Sequence, residues 1–156
     1  MAPSNCAITG CTFFENTATH AGGAITMSDC AATITSCNFQ GNTANYGGAI
    51  DVESMSVVTM QDCQLKNNGA LYAGGGVFVW QNMGPSSLTV SSSVILDNQA
   101  PLGADGYADI NCQLLVLDST VSPDFAETFD GPGTILIDSV VATEPGSWGS
   151  VKACYR

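Results

Sequence analysis

Fourteen acidic side chains, seven cysteines and one histidine carry whatever chemistry this chain can do. A glycosidase needs two carboxylates facing each other across about 5–10 Å. Asp105 with Asp109, and Asp51 with Glu53, are the pairs closest in sequence, though surface carboxylates on short strands mostly serve solvation. His20 is the sole histidine and precedes the bend at Gly22-Gly23; no Ser–His or Cys–His unit can be assembled around it. Asp124, Glu127 and Asp130 offer carboxylates to Ca²⁺ but lack the glycine and ligand spacing of an EF-hand. Cysteines at a fixed repeat position could hold a soft metal, yet no Cys-x-x-Cys is present, so packing is the better use. Thr33-x-Thr35 is the one Thr-x-Thr that fits a regular ice-binding face, too few to make one. The expectation is therefore no catalytic centre, no metal site and no cofactor, with Ca²⁺ at 124–130 as the single exception to check.

The elements that must position these groups follow from a repeat. Ile8, Cys11, Phe13 and Asn16 return as Ile34, Cys37, Phe39 and Asn42, and again as Met60, Cys63, Leu65 and Asn68. A fourth copy carries Val90, Ser93, Ile95 and Asn98, and a fifth Val116, Ser119, Val121 and Asp124. A fixed period of about this length means stacked units, each covering the apolar face of the next. Apolar positions alternate with a period of two on either side of a parity break, the mark of short strands joined by bends. The asparagine column is expected to sit at a tight turn, tolerate left-handed backbone and bond from rung to rung. Glycine pairs at 22–23, 47–48 and 75–76 mark a second corner, where a Cβ would clash or φ must be positive. Three strands and three bends per copy give an all-β, right-handed parallel β-helix of about five coils with a C-terminal cap. The coils span 1–121, and 122–156 form an irregular last coil and cap within a single domain. The four extra residues at Trp80, Gln81, Asn82 and Met83 predict a protruding, aromatic-bearing interaction loop.

Charge narrows the partners. A net charge of −11, with only Lys66, Lys152 and Arg156 as cations, excludes nucleic acid and disfavours anionic membrane surfaces. No apolar run reaches membrane-spanning length, and Met1–Asn5 lacks a leader's basic and apolar regions. Because the chain opens directly on the repeat, it is expected to join other protein subunits or the rest of a longer chain. Cys11, Cys37 and Cys63 should form a buried thiol stack, since ladder neighbours about 4.8 Å apart are too close for an ordinary bridge. Cys6, Cys30, Cys112 and Cys154 remain as an even set, with Cys6–Cys30 and Cys112–Cys154 as the expected disulfides. Such bridges would place the chain outside the cell, on its surface, or in an oxidising lumen.

The Phe-x-x-Asn units at 13–16 and 39–42, with Gly-Gly-Ala-Ile at 22–25 and 47–50, resemble the repeats of chlamydial polymorphic membrane proteins. Those belong to the wider pectate-lyase-like superfamily of right-handed β-helices. The resemblance covers roughly residues 6–110 and weakens where Leu65 and Ile95 replace phenylalanine. It implies a non-enzymatic scaffold, either an adhesin-like surface segment or a structural subunit. The alternative that the superfamily implies is a carbohydrate-active module, glycan-binding or glycosidic. A lyase of that superfamily needs Ca²⁺ carboxylates and a basic residue, and no Lys or Arg is suitably placed. Its Asp-Asp and Gly-His-Gly patterns are also missing.

Overall fold

The computed structural model describes residues 4–122, 128–142 and 148–155, with side chains described for 5–122 and 128–138. The chain winds into a parallel solenoid whose successive coils advance by 26, 26, 30 and 26 residues. One long sheet contains β1 (Ser4–Thr9), β4 (Cys30–Thr35), β8 (Val57–Gln61), β12 (Ser87–Ser91) and β15 (Gln113–Val121). After a bend it continues as β2 (Thr12–Phe14), β5 (Asn38–Gln40), β9 (Gln64–Lys66) and β13 (Val94–Leu96), which rejoins the far end of β15. A five-stranded sheet closes the other side from β3 (Ile25–Ser28), β7 (Ile50–Glu53), β11 (Val77–Val79), β14 (Gly106–Ala108) and β16 (Phe129–Asp130). Between them runs a short extra pair, β6 (Thr43–Tyr46) and β10 (Gly69–Ala73), so each coil has a fourth side beyond the three expected. The solenoid ends with β17 (Thr134–Ala142), parallel to β15, and β18 (Trp148–Tyr155), which reverses direction against β17.

Alternation makes the core. Ile34, Met60, Val90 and Val116 stack in one inward row, and Phe39, Leu65, Ile95 and Val121 in another, all essentially without exposure. Phe13 lies flat on Phe39 with ring centroids 4.8 Å apart and planes within 3°. Register pairing puts identical positions directly above one another, so ring stacking follows from the coil rise.

The corners are where polar residues become structural. Gly10, Ser36, Asp62, Ser92 and Asp118 have positive φ, and each precedes a member of the column Cys11, Cys37, Cys63, Ser93, Ser119. At each such turn the next N–H leaves the sheet ladder and donates to the side chain of the following coil. Cys11 N–H donates to Cys37 Sγ (3.4 Å), Cys37 N–H to Cys63 Sγ (3.5 Å), Cys63 N–H to Ser93 Oγ (3.0 Å) and Ser93 N–H to Ser119 Oγ (3.1 Å). The column is a hydrogen-bonded stack, buried at Cys37 and Cys63 but, against expectation, exposed at Cys11 on the first coil, and serine already serves in two of its five places. Cys63→Ser is therefore expected to shift stability by less than about 1 kcal/mol. Cys63→Ala, which strands the buried Cys37 N–H, should cost about 1–3 kcal/mol. Paired denaturant titrations would expose an inverted order.

A second column stands at the corner entering the long sheet, and the register there rules out the expected Cys6–Cys30 disulfide. Cys30 N–H donates to Ser56 Oγ (3.3 Å), Ser56 N–H to Ser86 Oγ (3.3 Å) and Ser86 N–H to Cys112 Sγ (3.4 Å). Cys30 and Cys112 are thus the two ends of one ladder, and both are free thiols. Cys6 is free as well; it pairs with Ala32 while Cys30 pairs with Ser4. That offset of one rung and two residues puts the Cys6 and Cys30 Cα atoms about 8 Å apart, too far for a bridge. The side chain of Cys154 lies outside the described residues.

The asparagine turn also differs in detail. Positive φ belongs to the residue before each ladder member (Glu15, Gly41, Asn67 and Asp97), not to the asparagines. The glycine corner divides its two reasons between two positions. Gly22, Gly47, Gly74 and Gly103 supply the left-handed turn. Gly23, Gly48 and Gly75 allow coil-on-coil approach, since a Cβ on Gly48 would meet the carbonyl oxygens of Gly75 and Gly69. The third pair is accordingly 74–75, with Gly76 in the slot of Ala49.

Candidate functional site: an aromatic cleft across three coils

The outward row of the five-stranded sheet reads Thr26, Asp51, Phe78, Tyr107 and Asp130 in register. Ile50 and Val52 point into the core on either side of Asp51, so alternation sends Asp51 and Phe78 to the outer side. Tyr46, at the end of the preceding short strand, folds back over this row. Its ring lies 5.1 Å from Phe78 and 5.2 Å from Tyr72, each tilted by 39°. Trp80 flanks Phe78 at 6.3 Å and 46°, and His20 meets Tyr46 edge-on at 6.2 Å and 72°.

These rings enclose a cleft of about 250 Å³ lined by His20, Ala21, Tyr46, Phe78 and Trp80. A second cleft, about 310 Å³, shares the Tyr46–Phe78–Trp80 wall and adds Tyr72, Ala73, Leu102, Tyr107 and Asp109. Phe78 and Tyr107 stack there at 5.3 Å and 19°. Desolvation raises the Tyr107 hydroxyl's pKa, with Asp109 and Asp130 adding to it.

Asp51 belongs to this face and is fully buried, with neither carboxylate oxygen hydrogen-bonded. Desolvation, with the charge of Glu53 behind it, pushes its pKa from 3.8 to about 7. Buried polar groups almost always find partners, so an orphaned carboxylate in register with Phe78 of the cleft wall is unusual. Glu53 is half-buried and accepts a bond from Asn82 Nδ2 (3.1 Å).

Other sequence candidates scatter. Asp105 and Asp109 are not a facing pair: Asp105 is buried and accepts from Asn98 Nδ2 (2.8 Å), whereas Asp109 lines the second cleft. Burial raises the Asp105 pKa, against hydrogen bonds from Ser122, Asn98 and Thr128. It accepts from Asn98, the last asparagine of the ladder that Asn16, Asn42, Asn68 and Asn98 build. Asp124 and Glu127 lie outside the described residues, and Asp130 Oδ1 accepts from Gly131 N–H. Among the described residues no cluster of three or more metal-ligating side chains occurs. The inserted loop splits in function: Trp80 joins the cleft, Gln81 accepts from Asn111 Nδ2 (3.0 Å), Asn82 ties to Glu53, and Met83 is 75% exposed. Thr33 stacks with Thr59 and Thr89, but the row of Thr35 continues as Gln61, Ser91 and Leu117, so no two-threonine lattice forms.

The aromatic cleft went unseen in sequence because its rings share no column. They come from the corner, the outward row and the insertion, and only the coil rise brings them together. Among the described residues no helix is long and apolar enough to cross a membrane. Comparisons with curated proteins and with solved structures found no match. A family model described as "Right handed beta helix region" matches residues 1–122, the stretch whose coils, ladders and glycine corners are described above. The chain belongs to the right-handed β-helix family.

Proposed function

We propose that this chain is a non-enzymatic β-helical recognition scaffold, adhesin-like as its Phe-x-x-Asn and Gly-Gly-Ala-Ile repeats suggest, whose working surface is the aromatic cleft. The observation that carries it is the convergence of His20, Tyr46, Phe78 and Trp80 from three successive coils on one concave site. Concave, mostly apolar sites with few polar groups are where ligands bind. The separation of Asp105 from Asp109 favours binding over glycoside hydrolysis. The second reading, a carbohydrate-active module, draws support from the stacked Phe78–Tyr107 pair beside Tyr72 and Asp109.

A surface or extracellular location is proposed on the repeat resemblance alone, since Cys6, Cys30 and Cys112 are free thiols. The partner is another protein subunit, the remainder of a longer chain, or a glycan presented to the cleft. Arrays of glycans and small headgroup conjugates, probed with the chain and with Trp80→Leu, test the assignment. A ligand held by the chain and released by Trp80→Leu is expected. A ligand held equally by both would move the working surface elsewhere.

A further inference from the structure

The cleft has features of a cation cage. A neutral sugar is recognised on a broad, open ring face, whereas these rings tilt against one another by 39°, 46° and 72° and wall a pocket of about 250 Å³. That volume is below the range usual for drug-sized ligands and suits one compact group. Aromatic faces carry negative potential and attract cations, most strongly when water is excluded. The lining offers little to hydrogen-bond an ammonium N–H, so a cation that carries alkyl groups in place of its protons fits better than a bare amine.

Charge points the same way. Asp51 leaves the sheet on the cleft's side, between Thr26 of the first coil and Phe78 of the third. Glu53 follows on the same face and Asp109 stands in the adjoining cleft. Lys66 is the one Lys or Arg whose side chain is among the described residues, and it lines neither cleft. The net charge of −11 supplies negative potential, and among the described residues no lysine or arginine occupies the cage.

We infer that the cleft walled by His20, Tyr46, Phe78 and Trp80 binds a quaternary alkylammonium group, with Asp51 as the buried counter-charge. This rests on the cleft being the binding surface and names its ligand class. Ionised Asp51 favours the bound cation, so affinity rises with pH as Asp51 deprotonates near 7. The other ionisable groups facing this region are His20 from the first coil, Tyr46 and Glu53 from the second, and Tyr107, Asp109 and Asp130 beyond Phe78. His20→Gln isolates the contribution of Asp51 from that of the imidazole in the cleft wall.

The experiment is a tryptophan-fluorescence and calorimetric titration with choline and with 3,3-dimethylbutanol, its uncharged isostere, at pH 6 and pH 8. Choline is expected to bind about tenfold or more tightly than the isostere, and Trp80→Leu to lose that margin while keeping apolar bulk. Asp51→Asn should flatten the pH dependence that His20→Gln retains. Soluble phosphocholine and phosphatidylcholine vesicles form two further arms: binding of both assigns a free headgroup, and binding of vesicles alone assigns a lipid surface. Equal affinity for choline and its isostere, or no binding of choline, overturns the inference. If choline fails but an array glycan is lost in Trp80→Leu, the recognition surface stands and only its ligand class falls. A melting curve for each variant confirms that it is folded, and Trp80→Phe serves as the folded control that keeps a π-face.

Discussion

Asn68→Ala is expected to bring this protein close to unfolding. Asn68 Oδ1 accepts from both the backbone N–H of Asn42 (3.0 Å) and its Nδ2 (2.9 Å). Its own Nδ2 donates to Phe39 O (3.0 Å) and Asn98 Oδ1 (2.9 Å). Truncation strands the Asn42 N–H and one Asn42 Nδ2 proton and removes the Phe39 carbonyl's side-chain donor, while Asn98 Oδ1 keeps the Asn68 N–H. All this lies in a region where Asn42 and Asn68 have at most 1% exposure. Each buried polar group left unpaired costs about 1–3 kcal/mol, so a loss of at least about 4 kcal/mol is expected. That is a large part of the 5–15 kcal/mol typical of a domain. Asn16→Ala is the control, because Asn16 is exposed and only donates to Asn42 Oδ1. It should cost about 1 kcal/mol or less. Urea titration of both variants decides the matter: comparable midpoints would show that the asparagine column is not what holds the coils in register.

Asp51→Asn is expected to do the opposite, and only at neutral and higher pH. The folded carboxyl titrates near 7 and the unfolded one near 3.8, so between those values the folded state holds the extra proton. Stability therefore falls as pH rises from about 4 to about 7, and the whole penalty is present above 7. At about 1.4 kcal/mol per pH unit the difference amounts to about 4 kcal/mol. Asp51→Asn removes that slope. The variant should melt well above the parent at pH 8 and close to it at pH 4, apart from a constant offset for an amide that is no better partnered. Melting curves across pH 4–8 that run parallel for parent and variant would show that the carboxylate finds solvent or a partner.

A buried charge with this cost invites a compensating role, and the neighbouring cleft supplies one. A bound cation would lower the Asp51 pKa and return part of the lost stability at pH 8, so the extra thermal stabilisation by choline at pH 8 over pH 6 should vanish in Asp51→Asn.

The parts of this architecture legible in the sequence are those in which one letter repeats at a constant offset. Asn16, Asn42, Asn68 and Asn98 share a column because an amide has both a donor and an acceptor and can bond up and down the axis at once. Phe13 and Phe39 share one because parallel register places like upon like. The Cys30–Ser56–Ser86–Cys112 column was hidden by its mixed letters, although its 26, 30 and 26 spacing was available. Thiol and hydroxyl do the same work there, accepting one backbone N–H, so reading the cysteines as a disulfide set separated residues that act together.

What the sequence by itself determined is the solenoid: coil length, inward rows, the asparagine ladder and the glycine corner. These depend on contacts between equivalent residues one period apart, and a period is visible in one dimension. Only the tertiary structure decided the site. Tyr46, Phe78 and Trp80 occupy different positions in their coils, and Asp51 looks in sequence like any outward residue of a strand. The rings meet because a side chain reaches farther than the roughly 4.8 Å between coils, so rings from neighbouring coils lean across the row in which Asp51 and Phe78 are register neighbours.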